Sequence, residues 1–146
     1  MKINLQNRQR AVKFDLRWLR QFAEISLPEC ARHSDDKKFA LTKLEEIEIA
    51  VVSDKVIARV HLDFMGIPGA TDVITFEHGE IVMSAETAMI YAGRYGCSVE
   101  EELALYTIHG LLHLNGYADA KAQAASRMRK TQERIMKTCL ARFPAH

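Results

Sequence analysis

Two histidines four residues apart, His109 and His113, stand in the run HGLLHLNGYAD, residues 109–119 of a 146-residue chain. On a helix this spacing puts both imidazoles on one face, a turn apart, where they can share a metal. Asn115-Gly116 then stops the helix, because glycine accepts the left-handed backbone of a C-cap. The chain turns back, and Asp119, three residues beyond that glycine, can reach the same metal. Two imidazoles and one carboxylate leave a fourth position open for water, the layout of a catalytic rather than a structural zinc site. The chemistry indicated is hydrolysis assisted by one divalent metal. Zn2+ suits the ligands best, although nickel, iron and manganese accept them too.

Other readings compete at individual positions. An aspartate after a turn is also a common N-cap, which is the second reading of Asp119. His78, in a predicted hairpin turn, is the competitor for the third ligand position. His33 and His61 read as surface residues and His146 as a chain end. The pattern H-x-x-x-H-x-x-G-x-x-[HD] resembles the zinc-binding run of metzincin proteases. Gly110, however, stands where those proteases carry their glutamate base, which speaks against a peptidase. Glu102, seven residues before His109 and so two helical turns away on the same side, is a candidate base.

The elements that must position these groups follow from periodicity and caps. Residues 2–6 read as a strand, and Asp15 caps a helix carrying Leu16, Leu19 and Ala23 that ends near Pro28. The polar segment 30–43 reads as a loop or a short helical turn. Ile47, Ile49 and Val51 alternate as a strand does. Ser53 or Asp54 then caps a stretch with Val56, Ile57, Val60 and Phe64, closed at Gly66, that reads as a helix but tolerates a strand. Runs at 71–76 and 80–84, joined by a turn containing His78-Gly79, make a hairpin. Ser84 opens a helix to about Tyr95, and Ser98 with Glu101 forms a capping box for the next. That helix, to about Leu114, is apolar on most sides and should be central. The last helix, roughly 121–141, turns Ala125, Met128, Ile135 and Cys139 inward. Arg127, Lys130, Arg134 and Lys137 form a basic stripe on another of its faces. Strands and helices mix without a βαβ rhythm, which indicates an α+β fold.

Length and composition bound the rest. The chain reads as one domain, 1–146, with 48% apolar and 27% charged residues, the balance of a soluble protein. Three scattered cysteines, Cys30, Cys97 and Cys139, argue against a disulfide framework and for a reducing, cytoplasmic setting. The start, MKINLQNRQRAVKFD, lacks the apolar core of a signal peptide, and no apolar run is long enough for a membrane span. The net charge of +1 hides an asymmetry: residues 1–23 and 121–146 hold 13 Lys/Arg and 2 Asp/Glu, the rest 7 and 17. Basic ends folded into one patch would attract nucleic acid; if they never converge they are only solvated helix faces.

Two segments resemble the YbeY family of metal-dependent endoribonucleases that mature bacterial ribosomal RNA. ATDVITF with GEIVMS (70–76 and 79–84) is similar to the family's P-T-D-V-L-S-F and G-D-I-V-I-S. HGLLHLNGYAD is similar to H-G-x-L-H-L-x-G-Y-D-H. With the elements between them, these motifs cover roughly residues 60–120. The resemblance implies a four-stranded mixed sheet packed with helices and a metal cleft beside the His-bearing helix. It implies cleavage of single-strand-type RNA by a metal-activated water, and ribosomal RNA and ribosomal particles as partners. In this alignment Thr71 and Asp72 line the cleft, with a structural role at a strand start as their other reading. Arg127, Lys130 and Arg134 would hold the RNA backbone, so binding should weaken as salt rises. Four departures stand out: Asp119 replaces the usual third histidine, Ala118 the aspartate before it, Met65 an upstream arginine, and Ala70 the proline before Thr71. A ribosome-assembly or RNA-binding factor with a structural metal, and a metallopeptidase, are the other functional readings.

Overall fold

A computed structural model describes residues 1–34 and 41–143. His146 and the middle of the polar 30–43 segment lie outside the described residues. The chain runs β1 (Lys2–Asn7), α1 (Leu16–Ala31), a 3-10 turn (Leu41–Lys43), β2 (Glu46–Val52), α2 (Asp54–Met65), β3 (Val73–Phe76), β4 (Glu80–Ser84), α3 (Ala85–Tyr95), α4 (Val99–Leu114) and α5 (Ala122–Leu140). The sheet order is β1-β2-β4-β3, with β3–β4 antiparallel and the other pairs parallel. It is the mixed four-stranded sheet of an α+β fold.

Strand periodicity explains how one sheet serves two layers. Ile47, Ile49 and Val51 on β2, with Ile81 and Met83 on β4, face a large core shared with α1, α4 and α5. The residues between them, Ala50, Val52 and Val82, face a smaller cluster built on Ile57 of α2 and Ile74. Helix α4 lies between α1, α3 and α5 and the sheet, and Leu103, Ile108, Leu111 and Leu112 are fully buried along it. The expectation of a central apolar helix holds. So do the local start signals: Ser53, Ser84 and Ser98 each accept a backbone N–H at a helix N-terminus, Ser98 within a complete capping box.

Two expectations need correction, the end of α1 and the start of β3. Helix α1 does not end near Pro28 but continues to Ala31. A proline this late removes only its own N–H bond, and the Arg32 N–H closes the helix on the carbonyls of Pro28 and Cys30. Helix α2 forms as a helix rather than a strand; of Val56, Ile57, Val60 and Phe64 it buries only Ile57, while Val56 is exposed and Phe64 rests edge-on against Phe76 at 5.4 Å. It covers a small patch of sheet, too narrow for a full apolar stripe. Strand β3 begins at Val73 because the Asp72 side chain already accepts the Val73 N–H at 2.7 Å.

Candidate metal centre

Three devices bring the ligand residues together. Helix α4 stacks the two imidazoles, whose centroids lie 4.6 Å apart. Gly116, at φ +97°, reverses the chain where α4 stops. Asn115, almost fully buried, pins that turn to distant backbone. Its carboxamide oxygen accepts from the Leu41 N–H at 2.9 Å, and its nitrogen donates to the carbonyls of Cys30, at 3.0 Å, and His33. The reversal carries Asp119 back over the histidines.

The resulting geometry is compatible with a cation site. His109 Nε2 and His113 Nε2 are 3.0 Å apart, and Asp119 Oδ2 lies 3.6 and 3.5 Å from them. A tetrahedral ion bound at about 2.1 Å would separate its ligand atoms by about 3.4 Å. Each imidazole is oriented by its other nitrogen. His109 Nδ1 donates to Gln132 Oε1 at 2.9 Å and His113 Nδ1 to the Tyr117 carbonyl at 2.8 Å. With both Nδ1 atoms donating, both Nε2 lone pairs point at one another and at a carboxylate. In that tautomer three acceptor atoms face one point, an arrangement a metal ion would satisfy. Burial, followed by the nearby His113, lowers the His109 pKa and keeps that imidazole neutral, the form a metal requires.

The competing assignments separate cleanly. The N-cap of α5 is Lys121, whose side chain makes no capping bond, so Asp119 does not cap that helix. His78 is exposed, stacks on Phe76 at 5.7 Å and approaches Glu80 at 3.9 Å, away from the His109–His113–Asp119 group. His61 is no ordinary surface residue: it is half-buried, its Nδ1 lies 2.9 Å from the Gly69 carbonyl, and it lines the cleft. The cleft, of about 660 Å³, also contains Met65, Thr71, Asp72 and all three ligand residues. Thr71 and Asp72 both line the cleft, and Asp72 also accepts the Val73 N–H at the start of β3, while the Thr71 hydroxyl donates to the Asp72 carboxylate. Arg127, Lys130 and Arg134 are exposed on α5 and do not line this cleft. Gln132, on the same helix, was not singled out by sequence; only packing across 23 residues brings it to His109.

Glu102 is buried in α4 and shares a second pocket with His109, Asp72 and Gln132. Burial raises its pKa; the Tyr106 hydroxyl works against that rise and the Asp72 carboxylate adds to it. A carboxyl whose folded-state pKa exceeds its unfolded value destabilises the fold as it ionises. The cost appears as pH rises through the ordinary carboxylate range and is complete above the raised pKa. Glu102→Gln should therefore increase the melting temperature at pH 7–8 and do so less at pH 4. A melting-temperature difference independent of pH would contradict this.

Comparison with known proteins agrees with this architecture. The model of the family described as Endoribonuclease YbeY matches residues 4–140. A relative named Endoribonuclease YbeY from Heliobacterium modesticaldum is 32% identical over 117 residues, covering 64% of this chain and 70% of the relative. One of the same name from Helicobacter pylori is 36% identical over 100 residues, covering 63% and 71%. A solution structure of a Thermotoga maritima protein shares the fold with a TM-score of 0.61, at 21% identity over 96% of this chain and 90% of that one. With the match spanning both sequence motifs and the Asp119 variant of the ligand set in place, the chain belongs to the YbeY endoribonuclease family.

Proposed function

We propose that this protein is an endoribonuclease of ribosomal RNA maturation that cleaves single-strand-type RNA with one divalent metal, Zn2+ foremost, held by His109, His113 and Asp119. The observation that carries the proposal is the convergence of two imidazole nitrogens and a carboxylate oxygen on one point at the edge of an open cleft. The relatives' name, Endoribonuclease YbeY, supplies the substrate class. When bound, the ion would polarise a phosphoryl oxygen and make a water more acidic. The chain's own residues do the rest. Gln132 and the Tyr117 carbonyl hold the imidazoles in the receptive tautomer. Thr71 and Asp72 shape the wall along which the strand lies. Glu102, with its raised proton affinity, is the group we assign to hold a proton beside the centre. Arg127, Lys130 and Arg134 would contact RNA backbone outside the cleft, giving affinity that falls with salt. The three free cysteines suit a reducing cytoplasm, and no described helix is long and apolar enough to cross a membrane.

Element analysis of wild type and Asp119→Ala, with RNA and peptide substrates incubated in parallel, tests the proposal. Wild type should carry about one metal per chain and cut only RNA. The variant should lose most of its metal and its RNA cleavage. Equal metal content would remove Asp119 from the ligand set, and peptide cleavage without RNA cleavage would overturn the function.

A further inference from the structure

The cleft poses an electrostatic difficulty for an RNA enzyme. Apart from His109, His113 and Asp119, the charged side chains among the described residues that line it and its two adjoining pockets are Asp72, Glu77 and Glu102, against one Lys or Arg, Arg94. A polyanionic strand needs affinity there from something other than net charge. The α3 wall offers it. Tyr91 and Tyr95, one helical turn apart, stack with ring centroids 5.9 Å apart and planes inclined by 19°. The Arg94 guanidinium lies over the Tyr91 ring at 5.1 Å, with no carboxylate partner among the described residues. Tyr95 is 68% exposed although it is a large aromatic residue already aligned by its neighbour.

This wall is continuous with the metal centre. Tyr91 and Tyr95 line the pocket that contains His109 and Gln132. Tyr91 and Arg94 line a neighbouring pocket with Thr71 and Asp72. Asp72 belongs to both and to the cleft itself. Resting on the ribonuclease reading above, we propose that Tyr91, Arg94 and Tyr95 form a nucleotide subsite: an unpaired base stacks on Tyr95, and Arg94 pairs with a phosphate of the same strand. Stacking does not depend on net charge and tolerates any base, so it holds a strand where carboxylates repel the backbone. A guanidinium parked on an aromatic ring is weakly hydrated and free to turn its donors toward a phosphate. Tyr91 is a positioning residue for both.

The test is binding of a non-cleavable, phosphorothioate single-stranded RNA carrying one 2-aminopurine, alongside a copy with that base removed. Wild type should quench the fluorescence on binding and favour the intact strand. Tyr95→Ala should weaken binding roughly 5- to 100-fold and lose the quenching. Tyr95→Trp should restore both, and the base-free strand should bind wild type and Tyr95→Ala alike. Arg94→Gln should reduce the slope of affinity against salt by about one ion. Metal content and melting temperature should stay at wild-type values in Tyr95→Ala, since the ring is exposed. Wild-type affinity and quenching in Tyr95→Ala, in a protein that cleaves RNA, would overturn the subsite and leave the ribonuclease reading standing. A wild-type protein that neither binds nor cleaves RNA would overturn both.

Discussion

His113→Ala should abolish RNA cleavage and release the metal while leaving the fold in place. The substitution removes one of three atoms that meet at a point, leaving His109 and Asp119 as a two-ligand remnant. Losing only a partner that orients a ligand costs roughly 10- to 100-fold in affinity or activity. Losing the ligand itself should cost more. The fold should tolerate the change because His113 contributes little else: its ring is partly exposed and makes one backbone hydrogen bond, to the Tyr117 carbonyl. Such a bond is worth about 1 kcal/mol. At this chain length that corresponds to a melting temperature lower by about 2–4 °C. The substitution also separates two facing acceptors, which offsets part of the loss in the metal-free protein. Cleavage assays, element analysis and thermal melting on one preparation check all three points. A large drop in melting temperature in His113→Ala, from a wild type that binds RNA without cleaving it, would instead identify a structural metal in an RNA-binding factor.

The parts of the centre that sequence spacing makes legible are those within one local stretch. His109 and His113 are set by helical period, Gly116 by the sign of φ, and Asp119 by the reach of a three-residue turn. The Ser caps that open α2, α3 and α4 are local for the same reason. The parts that stay hidden are long-range. Gln132 orients His109 from another helix, and Asn115, which reads as a helix stop, is also a buried clamp on backbone 74 to 85 residues away. Neither role leaves a periodic trace. The stacked wall of α3 is half-visible: Tyr91 and Tyr95 have helical spacing, but their place beside His109 depends on how α3 packs on α4. Pro28 is a local stop signal that its position overrides: in the last turn of α1 it costs only its own N–H bond.

Gly110→Ala should destabilise the protein and weaken its hold on the metal, against the usual benefit of alanine in a helix. That benefit is about 1 kcal/mol. Opposing it is the contact between α4 and β4: a Cβ at position 110 would lie 2.7 Å from Ile81 Cδ1 and 3.0 Å from both Cγ1 and Cγ2. Ile81 is completely buried, so its side chain has no open space into which to turn. Overpacking of this kind costs about 1–3 kcal/mol, enough to cancel or exceed the helix gain. Relief must come from lifting α4 off the sheet, and α4 carries both histidines, one of them the adjacent residue. Metal affinity should therefore fall along with melting temperature. Ile81→Val removes the atom nearest the new methyl, so the double variant should recover part of both losses, a coupling that a double-mutant cycle measures. A rise in melting temperature for Gly110→Ala alone, as helix propensity by itself would give, would show that the helix–sheet contact does not set the height of the metal centre. The same contact explains why a metzincin-type base is absent. A glutamate at position 110 would start its side chain 2.7 Å from Ile81 Cδ1, so carrying that base would require Ile81 or the helix to shift.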